Sequence, residues 1–483
     1  MKNLLRFLVV FSFFSGIFSS EKLYAQREIS TGIEEIVVTA QKREENLQDV
    51  PASVSAMDAA TLEKTFARDL MDVAGVSPNL IIDPILGNGT AAISIRGVQM
   101  NDVEKSFDPA VAVYQDGIYL ATATGALLNT WDAERIEVLR GPQGTMFGRN
   151  TIGGLVHVIR SKPTGEAGVK VNITAAEDEQ KDIKTVINFP AILDGTLATK
   201  ITAMKLDGGD YFSNPTRGED EGGVDVEAYS ISGLWNPTDN LQVQLTIDRI
   251  EDNTDVRPVS CFTSPGELFG VLGQPIATEC NGGSNLGFHR TVFQETDQKA
   301  SVEIDAVTLN VEYDVNENNK LVFVYGSREM EETSLQEFDA SSIDFFRVSR
   351  PQFEEQESIE IRLETKFSWG QTTLGAYFWD SEYDAWQTTY FFGGFNDSPR
   401  TFHSTENKAF FGQIDYDITD KLTLSVGGRW IDEEKEFCQL FTSPAGDADS
   451  VFNWYGTEND PRVIDKSWGA CPSYASSTAQ NSY

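Results

Sequence analysis

The sequence predicts a compact mixed α/β domain followed by an antiparallel transmembrane β-barrel. From residue 168 onward, strand-like segments alternate apolar and polar residues, and their connections are short at one end and long at the other. This asymmetry is typical of outer-membrane barrels. A soluble β-sandwich would also alternate, but its loops would be shorter. Beyond the N-terminus there is no run of about 18 apolar residues, so no transmembrane helix is predicted.

The N-terminus has the pattern of a signal peptide over residues 1–25. It combines a basic start, an apolar stretch over residues 4–18 and a small residue, Ala25, at the expected cleavage point. Residues 26–50 are polar apart from one short β-prone run. We therefore predict that a flexible arm follows the signal peptide.

Residues 51–165 are predicted to form the mixed α/β domain. Apolar residues recur at helical spacing from Leu62 to Val73, and Gly75 is a plausible end for that helix. A hairpin is expected around Asp116 and Gly117. Further strands are expected at 93–95, 135–139 and 155–159.

Residues 168–483 are predicted to contain the strands of a barrel. We count eleven of them, at 168–176, 182–189, 196–206, 225–235, 240–250, 299–314, 320–330, 356–367, 371–381, 405–417 and 421–433. Plugged barrels have about 22 strands, so these segments are expected to be the N-terminal half of a barrel in a truncated sequence. On this interpretation the chain is a fragment that cannot work alone.

Four cysteines lie in two of the long loops. They are Cys261, Cys280, Cys438 and Cys471. In an exported protein they are candidates for two disulfides, and pairing within each loop is the simplest of three connectivities. No CxxC spacing indicates a zinc site.

Three segments carry a resemblance to a known family. The first is the run Glu34-Glu35-Ile36-Val37-Val38-Thr39-Ala40; the second is Ile95-Arg96-Gly97 with Val113 to Tyr119; the third runs from Arg135 through Arg140-Gly141-Pro142-Gln143-Gly144 to Gly148-Arg149-Asn150. Together they resemble TonB-dependent outer-membrane receptors, in which the α/β domain plugs the barrel. The first segment is similar to a TonB box, here Glu35, Ile36, Val37, Val38, Thr39 and Ala40.

The resemblance implies a partner for the box and a lock for the plug. The box would add as a strand to the periplasmic domain of TonB, which is energised by the inner-membrane complex. In the family, plug arginines pair with barrel glutamates, which makes candidates of Arg96, Glu137, Arg140, Glu360 and Glu364. Solvated lumen charges are the alternative for each of them. Gly141, Gly144 and Gly148 are expected to serve tight turns.

The resemblance implies active uptake of a scarce nutrient across the outer membrane of a Gram-negative bacterium. A ferric-siderophore complex is the expected cargo; a carbohydrate, cobalamin or another organic nutrient is the alternative. A passive porin or a surface-binding protein is the rival from another class. Only three histidines are present, which disfavours haem. No ligand-binding residue is assigned by the sequence.

Several other classes of function are not supported by the sequence. No enzyme motif appears, and no cofactor or metal site is predicted. The net charge of −36 argues against a nucleic-acid partner, because binding phosphates needs clustered Lys and Arg. The partners expected are TonB, outer-membrane lipid and a small ligand.

Overall fold

The fold was examined in a computed structural model of the chain. The structure describes residues 37–65, 67, 69–84, 91–99, 108–122, 124–125, 130–259, 290–342, 344–391 and 394–442. The predicted signal peptide, Glu35, Ile36, Cys261, Cys280 and Cys471 lie outside the described residues.

The N-terminal part folds into a small α/β plug. Its elements are β1 (Val37–Val38), β2 (Glu45–Asn46), β3 (Ser53–Asp58), α1 (Ala59–Lys64), α2 (Leu70–Ala74), β4 (Leu80–Pro84), β5 (Ala91–Ile95), β6 (Val111–Gln115), β7 (Ile118–Leu120), β8 (Ala133–Arg140) and β9 (Gly154–Arg160). Five of the strands form one sheet in the order β3-β8-β9-β6-β7, in which only β6 and β9 run parallel. The predicted hairpin is confirmed, with Asp116 and Gly117 both at positive φ between β6 and β7.

The single helix predicted from Leu62 to Val73 is wrong. Two short helices stand in its place, and Asp69 is the N-cap of α2, which begins at Leu70. The Asp69 carboxylate accepts hydrogen bonds from the backbone N–H groups of Met71 and Asp72, which satisfies donors that a continuous helix would use itself. Leu62, Leu70 and Val73 nevertheless all pack into the plug core.

The rest of the chain forms a large antiparallel sheet. Its eleven long strands are β10 (Gly168–Ala175), β11 (Lys181–Ile192), β12 (Leu197–Gly208), β15 (Val224–Thr238), β16 (Leu241–Asp252), β17 (Lys299–Asn316), β18 (Asn319–Glu337), β20 (Gln352–Phe367), β21 (Gly370–Trp386), β23 (Gly394–Thr419) and β24 (Leu422–Thr442). Four short strands lie at the loop end, β13 (Phe212–Asn214), β14 (Glu219–Glu221), β19 (Phe346–Ser349) and β22 (Thr388–Phe391). All eleven predicted strands are confirmed, and β10 and β24 are the two edges of the sheet.

Several strands extend further toward the long loops than the alternation predicted. β18 reaches Glu337 and β21 reaches Trp386. Their extra residues are paired in the sheet, yet they need no apolar face, because about 9 to 11 residues suffice to cross a bilayer. We call the two ends of the sheet the short-turn end and the loop end; in outer-membrane barrels these are the periplasmic and the outer ends.

The two faces of the large sheet differ in polarity as the alternation predicted. On β16, Leu245 and Ile247 are 42% and 51% exposed, whereas the intervening Thr246 is 3% exposed. On β24, Leu424 and Val426 point outward, and 51% and 61% of their surface is exposed. The outer face is therefore apolar and the inner face polar, as a barrel wall requires. Within the described ranges, no helix is long and apolar enough to cross a bilayer.

Cys438 lies near the loop end of β24, where it is buried and disulfide-bonded. Its predicted partner, Cys471, is outside the described part of the chain.

Candidate functional site

The box and the residues after it are packed against the plug. Val38 is fully buried and Ala40 is 2% exposed, whereas Val37 is 40% exposed. The chain turns at Lys42, which adopts a positive φ, and β1 pairs with β2 on the return. Val38 and Ala40 are thus covered by the fold, while the flexibility of the arm stays a prediction.

Thr39 connects the box to two buried plug residues. Its backbone N–H donates to Glu137 Oε1 at 2.8 Å, and its hydroxyl lies 3.2 Å from both Glu137 carboxylate oxygens. The Thr39 hydroxyl is also 3.4 Å from His157 Nδ1. Glu137, on β8, is fully buried, and Arg135 Nε donates to it at 2.9 Å. Glu137 therefore binds the box rather than a barrel residue.

The hydrogen bonds of His157 identify which ring nitrogen carries the proton. Nε2 accepts from the backbone N–H of Gly117 at 3.0 Å, so Nδ1 is protonated and donates toward Thr39. Burial lowers the pKa of His157 to about 3, which keeps the ring neutral and this arrangement intact at physiological pH. The Thr39 hydroxyl thus accepts from the ring and donates to Glu137.

Two basic residues after the box form ion pairs with the inner face of the barrel wall. Lys42 pairs with Glu360 on β20, and Arg43 pairs with Asp415 on β23. All four side chains are less than 10% exposed. Glu360 is held from its other side by Arg362, whose Nη1 lies 3.1 Å away. The arm is therefore held against the wall by two ion pairs whose side chains are almost completely buried.

The predicted lock between plug arginines and barrel glutamates has different members. Arg96 is exposed at a turn, and Arg140 makes a 3.5 Å hydrogen bond to the carbonyl of Pro78. Within the described residues neither arginine pairs with Glu360 or Glu364, and this part of the prediction is wrong. Glu364 accepts from Arg362 within its own strand at 2.9 Å. The inward orientation of Glu360 was predicted correctly, but the arm supplies its partner.

Other residues hold the plug to the wall, and sequence reasoning did not identify them. Arg160, at the end of β9, donates to Asp116 in the plug and to Asp248 on β16, both at 2.6 Å. Gln356 on β20 accepts from the N–H of Ala121 at 2.9 Å and donates to the carbonyl of Tyr119 at 2.6 Å. The alternation predicted that polar side chains of β16 and β20 face inward, but it does not specify which plug residue each of them contacts.

A cavity of about 580 Å³ lies beneath the plug, toward the short-turn end of the wall. Its lining includes Thr39 and Lys42 from the arm, His157 and Arg160 from the plug, and Glu360 from the wall. The residues that fasten the arm therefore also border an open polar space.

The glycine-rich loop after β8 presses closely against the wall. Gly148 has a φ of +87°, and a Cβ added there would lie 2.8 Å from the guanidinium of Arg429. Gly141 also has a positive φ, whereas Gly144 has no such requirement. Gly148 thus allows the next residue, Arg149, to approach strands β21 and β24.

A charged and aromatic cluster lies above that loop, toward the loop end. Arg149 Nη2 is 3.0 Å from Asp108 Oδ1, and Lys435 Nζ on β24 is 2.9 Å from Asp108 Oδ2. The Arg149 guanidinium stacks 4.3 Å from the ring of Trp379. None of these residues was predicted as a site, although Arg149 belongs to the motif that carried the family resemblance.

Three carboxylates at the loop end could offer ligand atoms to a metal ion. Oxygens of Glu295, Glu337 and Asp339 lie within 4.8 Å of one another. Glu337 is fully buried, and its carboxylate accepts hydrogen bonds from the backbone N–H groups of Thr296 and Ser341, each at 3.2 Å. Hydrogen bonds within the protein account for the burial of this carboxylate, so the cluster is not assigned as a metal site.

Comparison with known families identifies both parts of the chain. Residues 46–155 match the TonB-dependent receptor plug domain, and residues 228–457 match the TonB-dependent receptor-like β-barrel. The vitamin B12 transporter BtuB of Vibrio vulnificus (strain CMCP6) is 31% identical over 33% of this chain and 26% of that protein. The iron-regulated outer membrane virulence protein of Vibrio cholerae serotype O1 (strain ATCC 39541) is 28% identical over 48% of this chain and 35% of that protein.

A solved structure has the same fold. The ferric yersiniabactin uptake receptor FyuA from Yersinia pestis superposes with a TM-score of 0.68 at 18% identity, over 81% of this chain and 58% of that one. The chain therefore spans less than two thirds of each of these proteins.

Proposed function

Because the chain belongs to the TonB-dependent receptor family, we propose that it takes up a ferric-siderophore complex across the outer membrane, driven by TonB. The family resides in the outer membrane of Gram-negative bacteria, as predicted. It consists of transport receptors rather than enzymes, also as predicted. The cargo and the partner of this chain are part of the proposal.

The docked box is the observation that supports dependence on TonB. Thr39, Lys42 and Arg43 are held by buried carboxylates of the plug and the wall, while Val37, two residues before Thr39, is exposed. A β-prone segment that leaves its packed position can add as a strand to the sheet edge of a partner. A pull on that segment would act directly on Thr39, and through Glu137 on the plug sheet.

The cargo class is supported by one relative in particular. The iron-regulated virulence protein aligns with nearly half of this chain, the larger share of the two curated relatives described above. Cobalamin is the second candidate because the vitamin B12 transporter aligns with a third of the chain at a slightly higher identity.

Growth on single nutrients tests both parts of the proposal. Cells carrying the complete gene are expected to grow on a ferric siderophore as the only iron source, and low iron is expected to induce the gene. Removal of residues 34–40 is expected to abolish that growth while the protein remains in the outer membrane. Unchanged growth after this deletion would refute energised uptake. Vitamin B12 uptake with expression independent of iron would favour the second candidate.

A further inference from the structure

The cluster of Asp108, Arg149 and Lys435 joins three parts of the molecule. Asp108 precedes β6, Arg149 follows the glycine-rich loop of the plug, and Lys435 belongs to the wall strand β24. A single carboxylate bridges the two cations, at 3.0 Å from the guanidinium and 2.9 Å from the ammonium. Asp108 therefore acts as their common counter-ion.

Arg149 depends on Asp108 for its hydrogen bonding. Its side chain is 9% exposed, and within the described residues Nε and Nη1 have no hydrogen-bond partner. Glu433 is the other nearby anion, with Oε2 at 3.9 Å from Nε, which is beyond hydrogen-bonding distance. A buried guanidinium with unused donors is costly, so an anion at this position is strongly favoured.

The anion lies on the accessible side of the cluster. The Asp108 side chain is 41% exposed and that of Lys435 is 30% exposed, compared with 9% for Arg149. Lys435 lies in the half of β24 nearer to the long loops, which is the outer side of a receptor barrel. A ligand arriving from outside would therefore meet the carboxylate before it reached the cations.

Aromatic rings border the same position. Trp379 stacks beneath Arg149, and the rings of Tyr383 and His403 stack on each other at 4.7 Å on adjacent wall strands. His403 Nδ1 is buried and has no hydrogen-bond partner within the described residues. Trp379 is 3% exposed and Tyr383 is 2% exposed, so these rings form the apolar wall against which the charged cluster packs.

We propose that Asp108 occupies the place of the ligand's anionic group, and that the cargo is an anionic iron chelate that displaces Asp108 from Arg149 and Lys435. This inference rests on the proposed function and specifies the charge of the cargo. It makes Asp108 an internal competitor of the ligand.

Binding of synthetic complexes that differ in charge tests the proposal. The protein expressed from its complete gene is titrated in detergent with a trianionic ferric tris-catecholate and with a neutral ferric tris-acetohydroxamate. Asp108→Asn is expected to bind the trianionic complex about tenfold more tightly, because the competing carboxylate is gone. Arg149→Gln is expected to bind it at least about tenfold more weakly. Neither substitution should change the affinity for the neutral complex.

Asp297→Asn is a matched control. Asp297 also bridges an arginine and a lysine, Arg217 and Lys299, each at 2.8 Å, but it lies two residues before β17 begins at Lys299. This substitution should leave both affinities unchanged.

Equal affinities for the two complexes in all variants would overturn this inference and leave ferric uptake intact. Failure of the unaltered protein to bind either iron complex, together with binding of vitamin B12, would overturn both proposals. If Asp297→Asn reproduced the effect of Asp108→Asn, general electrostatics rather than competition would explain the result, and the inference would fail.

Discussion

The arm and the outer cluster use the same chemistry in different surroundings. At the arm, Lys42 and Arg43 meet Glu360 and Asp415 with every side chain under 10% exposed. At the outer cluster, Asp108 is 41% exposed although its partner Arg149 is buried. Buried ion pairs are costly to break on one side, whereas exposed pairs exchange readily with solvent and solutes.

This difference suggests separate roles for the two ends of the plug. The periplasmic contacts hold until a force acts on them, because losing one partner leaves an uncompensated buried charge. At the outer cluster the carboxylate is exposed, so a ligand anion could replace it without leaving the buried Arg149 unpaired. The same kind of ion pair can therefore serve as a fastening at one end and as a sensor at the other.

The largest effect is expected from Glu360→Ala. This change leaves Lys42 and Arg362 buried without their shared carboxylate, and it should lower the free energy of unfolding by about 3 to 5 kcal/mol. Denaturant unfolding in detergent measures the loss. Glu364→Ala is the control, since Glu364 is 20% exposed and binds Arg362 alone among the described residues. Equal losses of unfolding free energy in the two variants would contradict the expected difference between buried and partly exposed ion pairs.

Thr39→Val should have an intermediate effect. It keeps the side-chain shape and the backbone bond to Glu137, but removes the hydroxyl that links Glu137 and His157. A loss of about 1 kcal/mol is expected, seen as faster hydrogen exchange at the backbone amides of the box. Thr39→Ser retains the hydroxyl and should exchange like the unaltered protein. Slow exchange in the valine variant would mean that the box is held by other contacts.

Asp108→Asn should change stability little in the absence of ligand. The pair with Lys435 is partly exposed, and the amide oxygen of the asparagine can still accept from the buried Arg149, so the expected loss is about 1 kcal/mol. Burial raises the pKa of the Asp108 carboxyl, but Arg149 and Lys435 outweigh it and hold the pKa below its usual range. A carboxyl whose pKa is lower in the folded protein than in the unfolded chain stabilises the fold at pH values above the unfolded-state pKa. The loss of stability caused by Asp108→Asn should therefore vanish as the pH falls through the folded-state pKa. A loss as large as that of Glu360→Ala would remove the proposed contrast.

The smallest effect concerns the pH dependence of Glu137. Burial raises the pKa of this carboxyl, although Arg135 and Thr39 act in the opposite direction. Because the folded-state pKa is raised, the contribution of Glu137 to the stability of the fold is fully present at pH values below the unfolded-state pKa. It declines as the pH rises through the folded-state pKa. The stability of the unaltered protein relative to Glu137→Gln should therefore decrease as the pH rises above 4.5, the unshifted value for this group. A relative stability that grew with pH would show that Arg135 dominates over burial.

The regular parts of the molecule were predictable because they follow local rules. The period-two alternation identified all eleven long strands and the inward orientation of Glu360. The turn at Asp116 and Gly117 followed from residue types that tolerate positive φ. The helix break at Asp69 was not predicted, because apolar spacing alone indicates a continuous helix. The Asp69 carboxylate instead binds backbone N–H groups and caps a new helix.

The site was less predictable because its contacts join distant parts of the chain. Lys42 and Glu360 are 318 residues apart, and nothing local to either residue specifies the other. The segments around Arg96 and Arg140 were recognised, but these two arginines were expected to pair with the wall on family resemblance alone. Arg149 lay in the same motif, and its role depends on Asp108 and Lys435, which only the folded chain brings beside it.

Uptake measured separately from binding tests energised transport most directly. Among the described residues of the box, Val37 is the exposed one, and proline there removes a backbone donor that strand addition to TonB would need. In cells with equal surface amounts of receptor, Val37→Pro should bind a radiolabelled ferric siderophore normally and fail to accumulate it, whereas Val37→Ile should do both. Accumulation by the proline variant at the unaltered rate would contradict the proposal that a pull on the box drives uptake.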